Sequence, residues 1–242
     1  MSVFGGFRRF RGFFGGSSDR LARRLVQLYL GLVLYGASAA LMVRAGLGLD
    51  PWDVFHQGVA ERTGLTIGTV SIVTGAAVLL LWIPLRQRPG LGTVSNVVVV
   101  GLAMDGTLAL LPEPRAMAVR VPLLVCAIVL NGVATGLYIS ARFGPGPRDG
   151  LMTGLHRVTG RSVRLVRTGI ELTVLATGFL LGGSVGVGTV AYALAIGPLS
   201  QLFLRVFALP GPDGGHSPVV ARSEAADRPE GHRRDGRAIL HP

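Results

Sequence analysis

Five polar side chains stand inside or beside apolar stretches of the sequence, where they are costly unless they serve a purpose. They are Asp53, Asn96, Asp105, Asp149 and Glu171. Ionisable groups within a membrane usually face the interior of a helix bundle or a water-filled cavity, where they mark ion and solute pathways. We therefore take these five residues as candidate contacts of an ion or small solute.

A structural role competes with the functional one for three of the candidates. Glu171 follows Arg167 by one helical turn, so the two side chains can form a local ion pair instead of an ion-coupled site. Asp105 stands late in its apolar run, where a carboxylate can reach the membrane surface. Asn96 can hydrogen-bond between helices. The residue types alone leave both roles open.

The other two candidates, Asp53 and Asp149, occupy the third position of two short predicted helices. A carboxylate there meets free backbone N–H groups and the positive end of the helix dipole, which is a sufficient structural role. Should these helices dip into the membrane, the same carboxylates would face a central cavity and could bind a cation. The sequence does not decide between re-entrant helices and helices that lie in the membrane interface.

Residues suited to catalysis or to metal binding are scarce. The sequence has no paired carboxylates and no nucleophile with a supporting base, so we do not expect an enzyme. His56 and His156 are isolated from other metal ligands, so we expect no metal site, and we expect no cofactor. The glycine run at 182–188 lacks the Lys of a phosphate-binding loop, since the chain contains no Lys at all.

The surrounding apolar residues fall into six runs of roughly 20 residues, enough for a helix to cross a bilayer. Hydrophobic residues make up 49% of the 242, and charged residues 15%, against about 25% in a soluble domain. The composition therefore predicts an all-α membrane protein and does not suit a nucleic-acid-binding domain, despite a net charge of +11. The six predicted spans lie near residues 25–43, 66–85, 91–111, 119–139, 163–182 and 187–209.

Arginine distribution predicts the orientation of these spans. With six spans, 20 of the 24 arginines fall on one side, and basic residues favour the cytoplasm. We therefore expect a multi-pass protein of the bacterial inner membrane with both termini in the cytoplasm, where arginines contact anionic lipid. Residues 1–24 form an Arg-rich cytoplasmic segment, 25–209 the membrane domain, and 210–242 a disordered cytoplasmic tail rich in Gly, Pro and Arg.

The membrane domain contains an internal duplication with a constant offset of 96 residues. Two short helices, predicted at 51–63 and 147–159, are related by this offset; each begins with Pro and is followed by Gly. Each half, about 25–111 and 119–209, holds three spans and one short helix. Because three is odd, the second half enters the membrane from the opposite side, which predicts an inverted-topology repeat. The aligned pairs include Gly48 with Gly144, Pro51 with Pro147, Asp53 with Asp149, Gly64 with Gly160 and Thr93 with Thr189.

Several of these stretches together resemble the bacterial YczE/YitT-like integral membrane proteins. The motifs begin at Gly46, Gly92, Gly144 and Gly182, and the resemblance covers about residues 25–209. It implies a multi-pass inner-membrane protein and supplies no reaction or substrate. The leading functional hypothesis is a small-solute or ion transporter. The alternative is a membrane scaffold that assists a partner enzyme or transporter.

Overall fold

A computed structural model describes residues 17–207, and side-chain burial from residue 21. This part of the chain forms eight helices joined by short connections and contains no strand. The expected disordered tail at 210–242, and residues 1–16 of the Arg-rich segment, lie outside the described residues. The helices are α1 Ser17–Ala45, α2 Pro51–Thr63, α3 Ile67–Trp82, α4 Leu91–Leu110, α5 Met117–Ser140, α6 Pro147–Thr159, α7 Val163–Leu180 and α8 Val187–Phe207.

The two short helices form where the punctuation of the sequence predicts them. Each of α2 and α6 begins with Pro, whose fixed φ suits the first helical turn and whose missing N–H is not needed there. Gly64 and Gly160 end them with φ of +73° and +68°, a left-handed conformation that glycine adopts without strain. Both helices are therefore 13 residues long, and both bounds agree with the prediction.

Fewer helices than predicted have the length and composition of a membrane span. Four qualify, in α1, α4, α5 and α8, and a fifth is counted if α2 and α3, which meet at an angle of 113°, are taken as one broken span. The helix α3 has 16 residues, which is roughly 24 Å at 1.5 Å per residue. The helix α7 has 18 residues but carries Arg164, Arg167 and Glu171. These two helices lie at the predicted positions. Taken singly, however, α3 is too short and α7 too charged to be counted as a membrane span.

The centre of the fold is the pair α1 and α5, which run antiparallel. At one end, Arg24 near the start of α1 donates to the carbonyl oxygens of Ala141 (3.0 Å) and Arg142 (3.3 Å), just beyond α5. At the other end, Arg120 near the start of α5 donates to the carbonyl oxygens of Ala45 and Gly46. Arg24 and Arg120, like their acceptors, are separated by 96 residues, so the two contacts are reciprocal.

The same exchange appears where the halves meet around the short helices. The N–H of Gly92 donates to the carbonyl of Phe143 (2.9 Å), and the N–H of Gly188 donates to the carbonyl of Leu47 (2.7 Å). Both members of each pair are again offset by 96 residues. Backbone conformation repeats as well, since φ is +116° at Gly48 and +118° at Gly144. Residues related by the offset of 96 therefore make equivalent contacts and adopt equivalent backbone conformations.

The outer surface of the bundle is apolar. Large side chains such as Leu110 (83% exposed) and Leu194 (73% exposed) project outward from α4 and α8. Contiguous apolar surface of this kind on a helical bundle suits a lipid environment, where each helix satisfies its own backbone hydrogen bonds. The polar side chains discussed below instead lie between the helices.

Candidate functional site

A cavity of about 350 Å³ lies between the helices, with wall residues from all eight of them. Its lining is mixed. Apolar groups alternate with hydroxyl, amide and charged groups, and the volume is at the lower end of the range for small-molecule sites. The principal polar lining residues are Tyr35, Asn96, Tyr138, Arg148, Asp149 and Arg167.

The two short helices reach this cavity with their N-terminal ends. Arg148, the second residue of α6, lies with its guanidinium 3.7 Å from Asp50 Oδ1 and 3.8 Å from Asp53 Oδ1 at the start of α2. The same guanidinium stacks on the ring of Trp52, 4.9 Å from its centroid. A group of opposite charges therefore joins α2 to α6, although the two helices are 96 residues apart in the sequence.

The two carboxylates of this group are buried and held by local hydrogen bonds. Asp50 Oδ1 accepts from the backbone N–H of Trp52 (2.9 Å) and of Asp53 (3.1 Å), so Asp50 is the cap of α2. Asp53 Oδ1 accepts from His56 Nδ1 (3.1 Å). Both carboxylates are therefore held by bonds within α2 and stand close to the Arg148 guanidinium.

Hydroxyl and amide groups link the helices at the cavity wall and behind it, and the bond from Asn131 to Ser38 joins the two halves of the chain. Tyr192 donates its hydroxyl to Asn131 Oδ1 (3.1 Å), and Asn131 donates its amide to Ser38 Oγ (2.9 Å). Tyr138 donates its hydroxyl to Asp149 Oδ2 (3.1 Å). Hydrogen bonds of this kind between spans fix the packing of helices that lipid alone would not order.

Three of the five predicted site residues come together here. Asn96 and Asp149 line the cavity directly. Asp53 is 3% exposed and stands behind Arg148, so it contributes charge to the cavity rather than a contact surface. The Asp53 carboxylate accepts from His56, and it is the backbone N–H of Asp53 that donates to the capping carboxylate of Asp50.

The other two predicted residues lie elsewhere and have local partners. Asp105 accepts from the N–H of Gly68 (2.8 Å) and the hydroxyl of Thr66 (2.5 Å), and thereby ties α4 to the start of α3. Glu171 accepts from Arg167 Nε (2.9 Å), one turn earlier on α7. Glu171 therefore reaches the cavity only through Arg167, which lines it.

Arg148, Asp50 and Trp52 are site residues that the sequence reasoning did not single out for the cavity. Asp50 directly precedes the first Pro of α2, as a helix cap does, and Trp52 is an aromatic residue of a type common at membrane interfaces. The offset of 96 residues contained a usable signal, because it aligns Asp50 with Gly146 and Trp52 with Arg148. The Pro and Gly that bound the two short helices recur at the offset, whereas these residues at the helix starts differ. The difference indicates that the starts of α2 and α6 have different functions.

No group of three or more His, Cys, Asp or Glu in residues 17–207 is arranged to hold a metal ion. The charge cluster at α2 and α6 has an arginine at its centre and two aspartates beside it. Its chemistry is therefore that of charge pairing and hydrogen bonding.

Residues 22–205 match a family of unknown function, DUF6198. The chain belongs to this family. It is 34% identical to the uncharacterized membrane protein YczE of Bacillus subtilis over 210 residues, which cover 86% of this chain and 95% of YczE. It is also 41% identical to an uncharacterized protein of Haemophilus influenzae over 181 residues, 75% of this chain and 83% of that protein.

These comparisons confirm the resemblance to YczE-like membrane proteins. Together with the apolar helices of the fold, they establish a helical membrane protein in contact with the lipid bilayer. No solved structure matches the chain.

Proposed function

We propose that this protein binds a small polar solute in its central cavity and moves that solute across the membrane. The observation that carries the proposal is the cavity itself, which Arg148, Asp149 and Arg167 line. Charged side chains between membrane helices are expensive, and they are retained where they line solute or ion pathways. The scaffold alternative requires no cavity between the helices, so a cavity of about 350 Å³ favours the transporter.

The architecture supporting this function is an inverted repeat of two three-span halves. The antiparallel run of α1 and α5 and the reciprocal bonds of Arg24 and Arg120 support it. We take α3 and α7 as membrane spans, although α3 is short and α7 carries charged residues. In the inverted repeat, each of these helices connects two helix ends that lie on opposite faces of the membrane. Inverted halves with a site at their junction are the plan of many secondary transporters.

In this arrangement the short helices α2 and α6 enter the membrane from opposite faces. The contact of Arg148 with Asp50 and Asp53 supports the re-entrant alternative, because helices confined to opposite interfaces could not bring their N-terminal ends within 4 Å. The helix ends would then meet near the midplane, where the cavity lies.

The orientation we propose places both termini in the cytoplasm of a bacterium. The unequal distribution of the 24 arginines supports it, because basic residues are retained on the cytoplasmic side. The same arginines would contact anionic lipid at that face.

The proposal is tested by filling the cavity. Gly197 lines the cavity, and a Cβ built there meets no atom within 4 Å, so Gly197→Phe adds a ring beside the cavity without displacing the backbone. Gly106→Phe is the matched control, because Gly106 has equally open space but does not line the cavity. Uptake of labelled propionate, glycine, phosphate and choline is measured in proteoliposomes.

We expect wild-type and Gly106→Phe proteoliposomes to accumulate at least one of these solutes above protein-free liposomes, and Gly197→Phe to lose that accumulation. If wild-type and Gly197→Phe proteoliposomes behave alike with every solute, transport through this cavity is wrong.

A further inference from the structure

The two short helices start in the same way but are capped differently. The backbone at Asp50, before α2, has φ −66° and ψ 159°; at Gly146, before α6, these are −62° and 159°. In α2 the Asp50 carboxylate accepts from the N–H groups of Trp52 and Asp53. Gly146 has no side chain and makes no such bond. One helix end therefore contains its own anionic group, and its equivalent does not.

The uncapped end of α6 leaves two backbone donors free. The N–H groups of Arg148 and Asp149 are the equivalents of those that bind Asp50, and they have no acceptor among residues 17–207. Gly146, Arg148 and Asp149 all line the cavity, so these donors stand at its wall. Free N–H groups at the positive end of a helix dipole are a natural site for an anion.

Two further donors at the same place lack partners. The Arg148 guanidinium makes no hydrogen bond within the described chain; its nearest carboxylate oxygens are 3.7 Å and 3.8 Å away, beyond hydrogen-bonding distance. Trp52, which lies under this guanidinium, is 6% exposed and lines the cavity, and its Nε1–H is buried without an acceptor. A buried donor left unpaired costs free energy, so the Trp52 Nε1–H favours an incoming acceptor; the Arg148 guanidinium, on a side chain that is 26% exposed, is accessible to one.

We infer that the solute carries a carboxylate or a similar oxyanion group, and that this group binds the start of α6 in the place that the Asp50 side chain fills at the start of α2. The inference rests on the proposed function and specifies its substrate class. The donors are the backbone N–H groups of Arg148 and Asp149 and the Arg148 guanidinium, which suits a planar carboxylate.

A group in the place of a Cβ at Gly146 fits if the ends of the neighbouring side chains shift by a few tenths of an ångström. A Cβ built at Gly146 lies 3.3 Å from Asp149 Oδ2, 3.4 Å from the Tyr138 hydroxyl and 3.9 Å from Asn96 Nδ2, all of them ends of side chains. A carboxylate next to Asp149 is not exceptional in this fold, because Asp53, the equivalent of Asp149, already stands next to Asp50 with Arg148 as the shared cation.

The experiment compares propionate with its neutral amide, which is nearly the same in size and shape, and adds an inorganic anion and an organic cation. Thermal unfolding of the full-length protein in detergent is followed in chloride buffer with added propionate, its neutral amide propionamide, phosphate, or choline. We expect propionate to raise the Tm and propionamide and choline to leave it unchanged. A response to phosphate without propionate also supports the oxyanion site and identifies an inorganic anion as its occupant.

Two variants tie the response to this site. Gly146→Asn supplies the missing cap, so it should remove the propionate response, whereas Gly160→Asn at the other end of α6 should keep it, since Asn tolerates the left-handed conformation there. Arg148→Lys keeps the charge but loses the planar donor pair, so the apparent affinity for propionate should fall about 10- to 100-fold. Arg157→Lys, on an exposed position of the same helix, is its control and should leave the affinity unchanged.

The inference is wrong if propionate stabilises the Gly146→Asn and Arg148→Lys variants as well as it stabilises the wild type. It is also wrong if choline or propionamide, and no anion, raises the Tm; a cavity that binds a solute would remain. If Gly146→Asn does not fold, the affinity of Arg148→Lys for propionate tests the inference alone. Whether the protein transports a solute at all is decided separately, by comparing solute uptake into wild-type and Gly197→Phe proteoliposomes.

Discussion

The contact between α2 and α7 offers the sharpest test of how the cavity wall is built, through the substitution Gly178→Ala. A Cβ built at Gly178 lies 2.4 Å from Phe55 N, 2.5 Å from Phe55 Cα and 2.6 Å from Val54 C. Those atoms are backbone, so they cannot rotate away as a side chain could. The methyl group must therefore push α2 away from α7 by about 1 Å to reach ordinary contact distance.

The free-energy cost of that displacement determines how much stability the variant should lose. Overpacking of a well-packed interior typically costs 1–3 kcal/mol, and we expect about 3 kcal/mol here because the obstacle is the backbone of a helix. For a chain of this size that corresponds to a Tm lower by about 6–12 °C. Because α2 carries Trp52 and His56, which line the cavity, the same displacement moves one wall of the cavity.

The control is Gly169→Ala on the same helix. No atom lies within 4 Å of a Cβ built at Gly169, so the substitution adds a better helix former to α7 without a clash. The Tm of each purified variant is measured by heating samples to a series of temperatures and determining the remaining folded protein by size-exclusion chromatography. A Gly178→Ala Tm equal to that of Gly169→Ala would refute the close packing of α2 on α7.

Three further predictions concern individual polar groups. Tyr192→Phe removes the donor to Asn131, so the free energy of unfolding should fall by about 0.6–1.7 kcal/mol; an unchanged thermal midpoint would contradict the bond. Asp50→Ala removes the acceptor of the N–H groups of Trp52 and Asp53, so the free energy of unfolding should fall by about 0.5–2 kcal/mol, whereas Asp50→Asn keeps an acceptor and should cost less; equal thermal midpoints for the two variants would contradict the cap. Glu171→Gln should change stability by less than about 1 kcal/mol, because the ion pair with Arg167 is largely exposed; loss of solute uptake in this variant would instead restore Glu171 as a coupling site.

The sequence was sufficient to predict the helices because their ends are set by local chemistry. Pro51, Asp50 and Gly64 define α2, and all three act within one turn of the residues they affect. The offset of 96 residues is likewise readable, since it depends on residue identity and not on distance in space. Helix bounds agree with the predicted spans to within a few residues, apart from α1, which begins earlier.

The site was less predictable because it depends on which helix ends meet. Arg148 looked like one of many cytoplasmic arginines, and only the approach of α6 to α2 places it between Asp50 and Asp53. Asp105 was a reasonable cavity candidate by residue type, yet it binds Thr66 and Gly68 at a helix start. An intramembrane acid can serve packing or solute binding, and the difference lies in contacts between segments far apart in sequence.

The central claim is that the cavity communicates with both faces of the membrane, and the labelling of a single introduced cysteine tests it most directly. Ser200 lines the cavity on α8, and the chain's one cysteine, Cys126, is exposed and is first replaced by Ser. Ser200→Cys is then treated with a membrane-impermeant thiol reagent, separately in right-side-out and inside-out vesicles. Leu194→Cys, on the outward apolar surface of the same helix, is the control and should remain unlabelled in both. We predict labelling of Ser200→Cys from each face; labelling from one face only, or from neither, would contradict transport through this cavity.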